Sequence, residues 1–223
     1  VQPFFREHIA GLDRQIVLID ALQALSAGPG AMADLERALA EILACFRPGR
    51  GSIFTDLFSR RIDRILVAAT KADHLHHESH DRLQAIVRRL ADRAASRASL
   101  SGATVDVLAM AAVRATREGT VKEGRETLPV IIGTPLAGET IGGETFDGET
   151  ETAIFPGDLP ADPELAFKAP PVAGKNRQPE EPPIRFVRFR PPKLEKTAEG
   201  VTLSLPHIRL DRALQFLIGD RLA

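Results

Sequence analysis

Three short apolar runs, each too brief for a helix and interleaved with sequence of helical period, constrain this chain more than any other feature. Gln15-Ile-Val-Leu-Ile-Asp20, Ile65-Leu-Val-Ala-Ala-Thr70 and Ala103-Thr-Val-Asp-Val-Leu-Ala-Met110 have strand length and are nearly continuous in apolar residues. Strands of that kind are covered on both faces, as in parallel sheets. Between them, Met32, Leu35, Leu39, Ile42, Leu43 and Phe46 fall on one helical face, with Cys45 beside Phe46 as a core residue. Gly28-Pro29-Gly30 reads as the turn before that helix. Leu83, Ile86, Val87, Leu90 and Ala94 mark a second amphipathic helix, with Ser79 as its candidate cap. The expected fold is therefore α/β, a mostly parallel sheet covered by helices. Ligands of such folds bind beyond the carboxyl ends of the strands, which directs attention to Asp20 onward, Thr70 to Asp73, and Met110 to Val113.

Proline divides the chain. Only Pro3, Pro29 and Pro48 of the 16 prolines precede Pro129, so regular structure is expected first and turns and extended segments later. The expected organisation is an α/β unit over 1–126, a β- and loop-rich region over 127–207, and a terminal helix over 208–223 that packs back on the core. Within the middle region, 127–132 reads as a strand, and Gly-Glu-Thr at 138, 143 and 148 reads as a hairpin or turn region. Residues 157–183 form a Pro-rich connection. Ile184 to Arg190 (IRFVRFR) reads as an edge strand blunted by its arginines. Leu210, Leu214, Leu217, Ile218 and Leu222 give the last helix its apolar stripe, and Asp211 suits its first turn.

Composition narrows the function. With 29 basic and 30 acidic residues the net charge is −1, unlike the basic excess of most nucleic-acid proteins. The alternation of Arg185, Arg188 and Arg190 with Phe186 and Phe189 therefore reads as a half-buried strand with solvated arginines, and no nucleic-acid partner is expected. A single cysteine excludes an internal disulfide framework. No apolar run approaches the roughly 20 residues of a transmembrane segment, and the first residues are too polar for a signal peptide, so a cytoplasmic protein is expected.

The sharpest chemical signal is Thr70-Lys71-Ala72-Asp73, directly after the second strand. A carboxylate there accepts a pair of hydrogen bonds from the ring N–H and exocyclic amine of guanine, a donor pair that adenine lacks on that edge. The lysine stem lies along a purine face. The tetrapeptide resembles the guanine-specificity motif [N/T]-K-x-D of GTP-binding proteins; the alternative is an ordinary strand-to-helix turn with solvated charges. GTPases carry Asp-x-x-Gly at the end of another strand, where the Asp reaches Mg²⁺ through water. Asp20 is the candidate for that place, followed by Ala21, Leu22 and Gln23 as a possible switch region, although Gln23 stands where the glycine would be; a simple helix cap is the alternative for Asp20. Ala112 and Val113 sit where a Ser-Ala-Lys-like loop would offer backbone N–H groups to the base. No G-x-x-x-x-G-K-[ST] phosphate loop occurs in these residues.

Taken together, GLDRQIVLIDALQ, RIDRILVAATKADH, AAVRAT and the closing LPHIRLDRALQFLIGDRLA resemble the C-terminal half of the YcjX family of bacterial P-loop NTPases. The resemblance covers most of the chain and is weaker across the Gly-Glu-Thr repeats and the Pro-rich stretch. It implies a P-loop GTPase-like fold and GTP or GDP as partner. Thr70, Lys71, Asp73, Ala112 and Val113 would lie at the base, Asp20 would lie near Mg²⁺, and the cellular setting would be stress-associated. The family's P-loop belongs to an upstream half, so Val1 is expected to be a truncated start and the chain to be inactive alone. A non-enzymatic interaction module that has lost nucleotide chemistry is the alternative. A third reading rests on His74, His76, His77, Glu78 and His80, whose residue types suit Zn²⁺ or Ni²⁺. If Ser79 opens a helix, however, His74 to His77 share no face, and a polar loop is the favoured reading.

Overall fold

A computed structural model describes residues 12–45, 62–98, 103–168, 184–193, 196–197, 200–201 and 205–222. Phe46, the Cys45 side chain and residues 169–183 of the Pro-rich connection lie outside them.

The three apolar runs form strands β1 (Arg14–Ile19), β2 (Arg64–Ala69) and β3 (Thr104–Ala109), parallel and in the order β1-β2-β3. Their register is aligned, with Arg14 opposite Arg64 and Thr104, and Ile19 opposite Ala69 and Ala109. All three chains therefore leave the sheet at one level, and Asp20, Thr70 and Met110 share one edge.

Helices α1 (Ala21–Ala27), α2 (Pro29–Cys45) and α3 (His80–Ala98) cover the face carrying Val17, Ile19, Ile65, Val67, Val107 and Ala109. α4 (Leu210–Ile218) covers the opposite face at Leu66, Ala68, Leu108 and Met110. The strand period of two thus feeds two cores, as near-continuous apolar runs require.

Several local expectations change. Residues 21–23 form the first turn of α1, with Ala21 and Leu22 fully buried and Gln23 exposed. The chain breaks its helix for Gly28 alone, at φ 98°, and Pro29 then opens α2 at a position where its missing N–H costs nothing. In α2 the inward stripe is Met32, Leu39 and Leu43, while Ile42 is exposed because it lies about 100° around the helix from Leu43. α3 starts at His80 after a short 3₁₀ turn over 77–79, and its five expected core residues are all buried. In α4 the stripe shifts to Leu210, Ala213, Phe216 and Leu217, leaving Leu214 and Ile218 exposed, with Leu222 exposed beyond the helix.

Beyond the parallel sheet, β4 (Arg117–Glu123) and β5 (Glu126–Gly133) form an antiparallel hairpin, to which β8 (Thr152–Ile154) adds on the β5 side. The Gly-Glu-Thr region does form a small hairpin, β6 (Thr140–Ile141) with β7 (Glu144–Thr145). Gly142 and Gly143 turn it at φ 56° and 86°, a conformation that costs other residues strain. Residues 184–190 keep their arginines exposed as expected but form one β-bridge, Pro135 to Phe189, rather than an edge strand. Leu136 N–H donates to Arg188 O and Arg190 N–H to Thr134 O, and Val187 and Phe189 pack on Ile131, Phe146 and Ile154. Two further short strands, β9 (Lys196–Thr197) and β10 (Gly200–Val201), pair with each other. Among the described residues no helix is long and apolar enough to cross a membrane.

Candidate functional site

The aligned ends of β1, β2 and β3 build the site. Thr70 follows β2 and ties it to β1, since both its N–H (2.9 Å) and its hydroxyl (3.1 Å) donate to the Ile19 carbonyl. Lys71 adopts the left-handed backbone conformation, φ 63° and ψ 33°, a costly choice for a side chain of this kind. That turn sends its ammonium back across the sheet edge, where Nζ lies 2.5 Å from Asp20 Oδ2 and 4.6 Å from the centre of the Phe186 ring. Ala72 N–H then donates to Met110 O at 3.1 Å, so the loop after β2 is also tied to β3.

Asp73 is 4% exposed. Its Oδ2 accepts the Ala115 N–H at 2.9 Å, and its carbonyl accepts the Thr116 hydroxyl. Among the described residues Oδ1 has no partner. A carboxylate has about four acceptor positions, so Asp73 keeps capacity for two further donors.

The loop after β3 is held from outside. Ala111 N–H donates to Ile208 O (3.1 Å), Ile208 N–H to Ala111 O (2.8 Å), and Arg114 N–H to Pro206 O (2.7 Å). Between those ties Ala112 and Val113 are exposed, and among the described residues nothing accepts from their N–H groups. Sequence order alone placed this loop beside the Asp73 loop, and the structure brings the two together.

Asp20 is more committed than the sequence suggests. Its Oδ1 accepts the Gln23 N–H at 3.1 Å and caps α1, and its Oδ2 holds Lys71. Mg²⁺ is a hard cation that gathers oxygen ligands. At Asp20 the Gln23 N–H and the Lys71 ammonium take two of about four acceptor positions, so the carboxylate keeps room for a water, the route by which the resemblance implies that it reaches Mg²⁺.

The histidines separate. His74 is buried, stacked on Phe186 (5.1 Å between centroids) and edge-on to Phe189 (5.2 Å). Burial holds its pKa below the ordinary histidine value, opposed by the Asp73 charge and assisted by Lys71. His80 Nε2 lies 2.8 Å from Ala72 O and 3.3 Å from Leu75 O, and burial lowers its pKa as well. Burial favours the neutral form of both rings, and at His80 Nε2 is the donor because the carbonyls it meets can only accept. Phe186, Phe189, Ala115 and Thr116 are the contributors that sequence reasoning missed. The alternation in IRFVRFR marks which of its residues turn inward, and nothing in it marks what they meet.

The comparisons with known proteins bear on this edge. Residues 1–222 match the family described as the YcjX-like family, DUF463. This chain belongs to that family. It is 36% identical over 222 residues to the protein named Ras-like GTPase YcjX of Escherichia coli (strain K12). To the protein of the same name from Shewanella oneidensis it is 32% identical over 223 residues. Both similarities span the whole chain but only 42% and 41% of the relatives. The chain thus corresponds to about two fifths of the YcjX-like proteins it matches, and its Thr-Lys-Ala-Asp loop lies within the matched region.

Proposed function

We propose that this chain is the base-recognition portion of a guanine-nucleotide-binding protein. The observation that carries this reading is Asp73: a buried carboxylate at the carboxyl edge of a parallel sheet, tied through Ala115 to the loop of Ala112 and Val113, with Oδ1 and the N–H groups of those two residues unpartnered among the described residues. Guanine supplies what that arrangement lacks, two parallel donors for the carboxylate and a carbonyl acceptor for an amide. Lys71 lays its aliphatic stem against the base, and Asp20 serves as the positioning residue that fixes its ammonium. Thr70 holds the loop to β1.

The names of the relatives support the same reading, and the phosphate chemistry belongs to the whole protein. The 223 residues hold no phosphate loop of the G-x-x-x-x-G-K-[ST] kind, so alone they bind nucleotide weakly and do not turn it over. Mg²⁺ on the phosphates, reached by Asp20 through water, is part of the same proposal for the whole protein. The stress association implied by the family resemblance is part of the same proposal for the whole protein.

The test is Asp73→Asn in the longer protein, titrated with a fluorescent GDP analogue. Asn cannot accept both guanine donors, so guanine-nucleotide affinity falls by at least about tenfold, the scale of one lost charge-assisted hydrogen bond. Xanthine nucleotide, which presents an acceptor where guanine has its amine, is spared. An unchanged GDP affinity would sink the assignment, and equal affinity of the unsubstituted protein for adenine nucleotides would favour an interaction module.

A further inference from the structure

The loop between β2 and α3 carries a second group of polar side chains that base recognition leaves unused. His76, His77 and Glu78 each present a ligand atom, and these atoms lie within 4.8 Å of one another. His76 is 6% exposed, and its Nδ1 is buried without a hydrogen-bond partner among the described residues. That nitrogen lies on the side of Glu78, whose Oε1 is 3.9 Å away, too far for a hydrogen bond. The His76 and His77 rings stand 4.3 Å apart between centroids. Glu118 of β4 approaches from across the loop, with Oε2 2.6 Å from His77 Nδ1 and Oε1 accepting from Arg114 at 3.0 Å.

A buried ring nitrogen with nothing to bond is uncommon and costly, and each such group calls for an explanation. Here the unpartnered nitrogen sits against a second imidazole and a carboxylate. We propose that His76, His77 and Glu78 bind a divalent transition-metal ion of the zinc class, with Glu118 as the supporting carboxylate on the far side. Two imidazoles and a carboxylate suit Zn²⁺, Co²⁺ or Ni²⁺, whereas Mg²⁺ and Ca²⁺ prefer oxygen alone. Metal–ligand bonds of about 2.0–2.2 Å require these atoms to close to about 3.5 Å of one another. His77, whose Nδ1 Glu118 holds, and Glu78 are exposed, and through them the ion arrives from solvent while His76 forms the inner wall. His74 and His80 take no part, being held by aromatic rings and by backbone carbonyls. Once bound, the ion fastens the loop that follows Asp73 to β4.

The experiment is calorimetric titration of the chelator-stripped 223-residue chain with Zn²⁺, repeated with Co²⁺ to read the ligand field from its visible spectrum. The unsubstituted chain takes up a single ion with a low-symmetry, nitrogen- and oxygen-ligated Co²⁺ spectrum. The double substitution His77→Ala with Glu78→Gln, at exposed positions that leave the core intact, weakens Zn²⁺ by at least about tenfold. His207→Ala, remote in the sequence and also exposed, leaves it unchanged. Absence of Zn²⁺ uptake, equal affinity in the double variant, or Mg²⁺ binding as tightly as Zn²⁺ would each overturn the proposal.

Discussion

Asp20 serves two partners with one carboxylate, closing α1 through Oδ1 and anchoring Lys71 through Oδ2. The two contributions separate by substitution. Asp20→Ala removes both the cap, worth about 1 kcal/mol, and a partly exposed ion pair, worth a few tenths. Asp20→Asn keeps a side-chain oxygen for the Gln23 N–H and loses only the charge. Urea denaturation of the chain is expected to show a loss of about 1–1.5 kcal/mol for Asp20→Ala and under about 0.5 kcal/mol for Asp20→Asn. Equal losses would assign the stabilisation to the ion pair alone. At this scale the Thr70–Asp73 motif and the Asp20 cap are local and legible in the sequence, whereas the pairing of Asp20 with Lys71 is not. They stand 51 residues apart and meet because β1 and β2 run parallel in aligned register. Phe186 is still further away in sequence, and its place beside Lys71 and His74 has no local signature.

Elements far apart in the chain meet around Gly133 at the end of β5. A Cβ built there would lie 2.9 Å from Phe189 Cδ1, 3.2 Å from the Ala115 carbonyl and 3.2 Å from Thr116 Cγ2. Phe189 packs on His74, and Ala115 and Thr116 hold Asp73, so the absent side chain lets the β4–β5 hairpin approach the loop of the parallel sheet. Gly133→Ala is expected to cost about 1–3 kcal/mol, as overpacking does, and thermal denaturation measures it. An unchanged midpoint would mean that the Phe189 ring swings clear. The strands and α3 were legible as elements because several periodic residues agree. α1 was not, being a seven-residue helix that a single glycine separates from the next. β4 carries Arg117, Glu118, Lys122 and Glu123 and lacks the apolar alternation that announces a strand. The stripe of α4 was misplaced because its leucines outnumber the positions the sheet can cover. Arg14 and Arg64 reach from the strands to the carbonyls of Leu217 and Phe216 at 2.7 and 2.5 Å and fix which face turns inward.

Taken whole, the parallel sheet feeds two cores of unequal extent, and a third cluster of Ile131, Phe146, Ile154, Val187 and Phe189 lies in the β-region. Three helices close one face of the sheet, but on the other face α4 packs on Leu66, Ala68 and Leu108 of β2 and β3 and meets β1 at Arg14, leaving Ile16 and Leu18 exposed. Ile16 is 41% and Leu18 61% exposed on that side, and Leu214, Ile218 and Leu222 are exposed as well. Among the described residues the outer edge of β1 is unpaired, and Ile16 to Ile19 put no charge or proline on it. A sequence reading of β1 as buried on both faces is thus met on one face only. An uncovered apolar strand edge is a template for pairing with another chain. The relatives are more than twice as long as this chain, and we propose that in proteins of that length further residues cover this strand. The isolated chain is then expected to self-associate reversibly, driven by the apolar area that it leaves in water. Leu18→Lys places a charge on the exposed face, where the pleat turns it away from the main core, and so opposes association without removing a core contact. Sedimentation velocity at increasing concentration is expected to show oligomers for the unsubstituted chain and a shift towards monomer for Leu18→Lys. A chain that stays monomeric without the substitution would show that its own residues already shield the β1 edge.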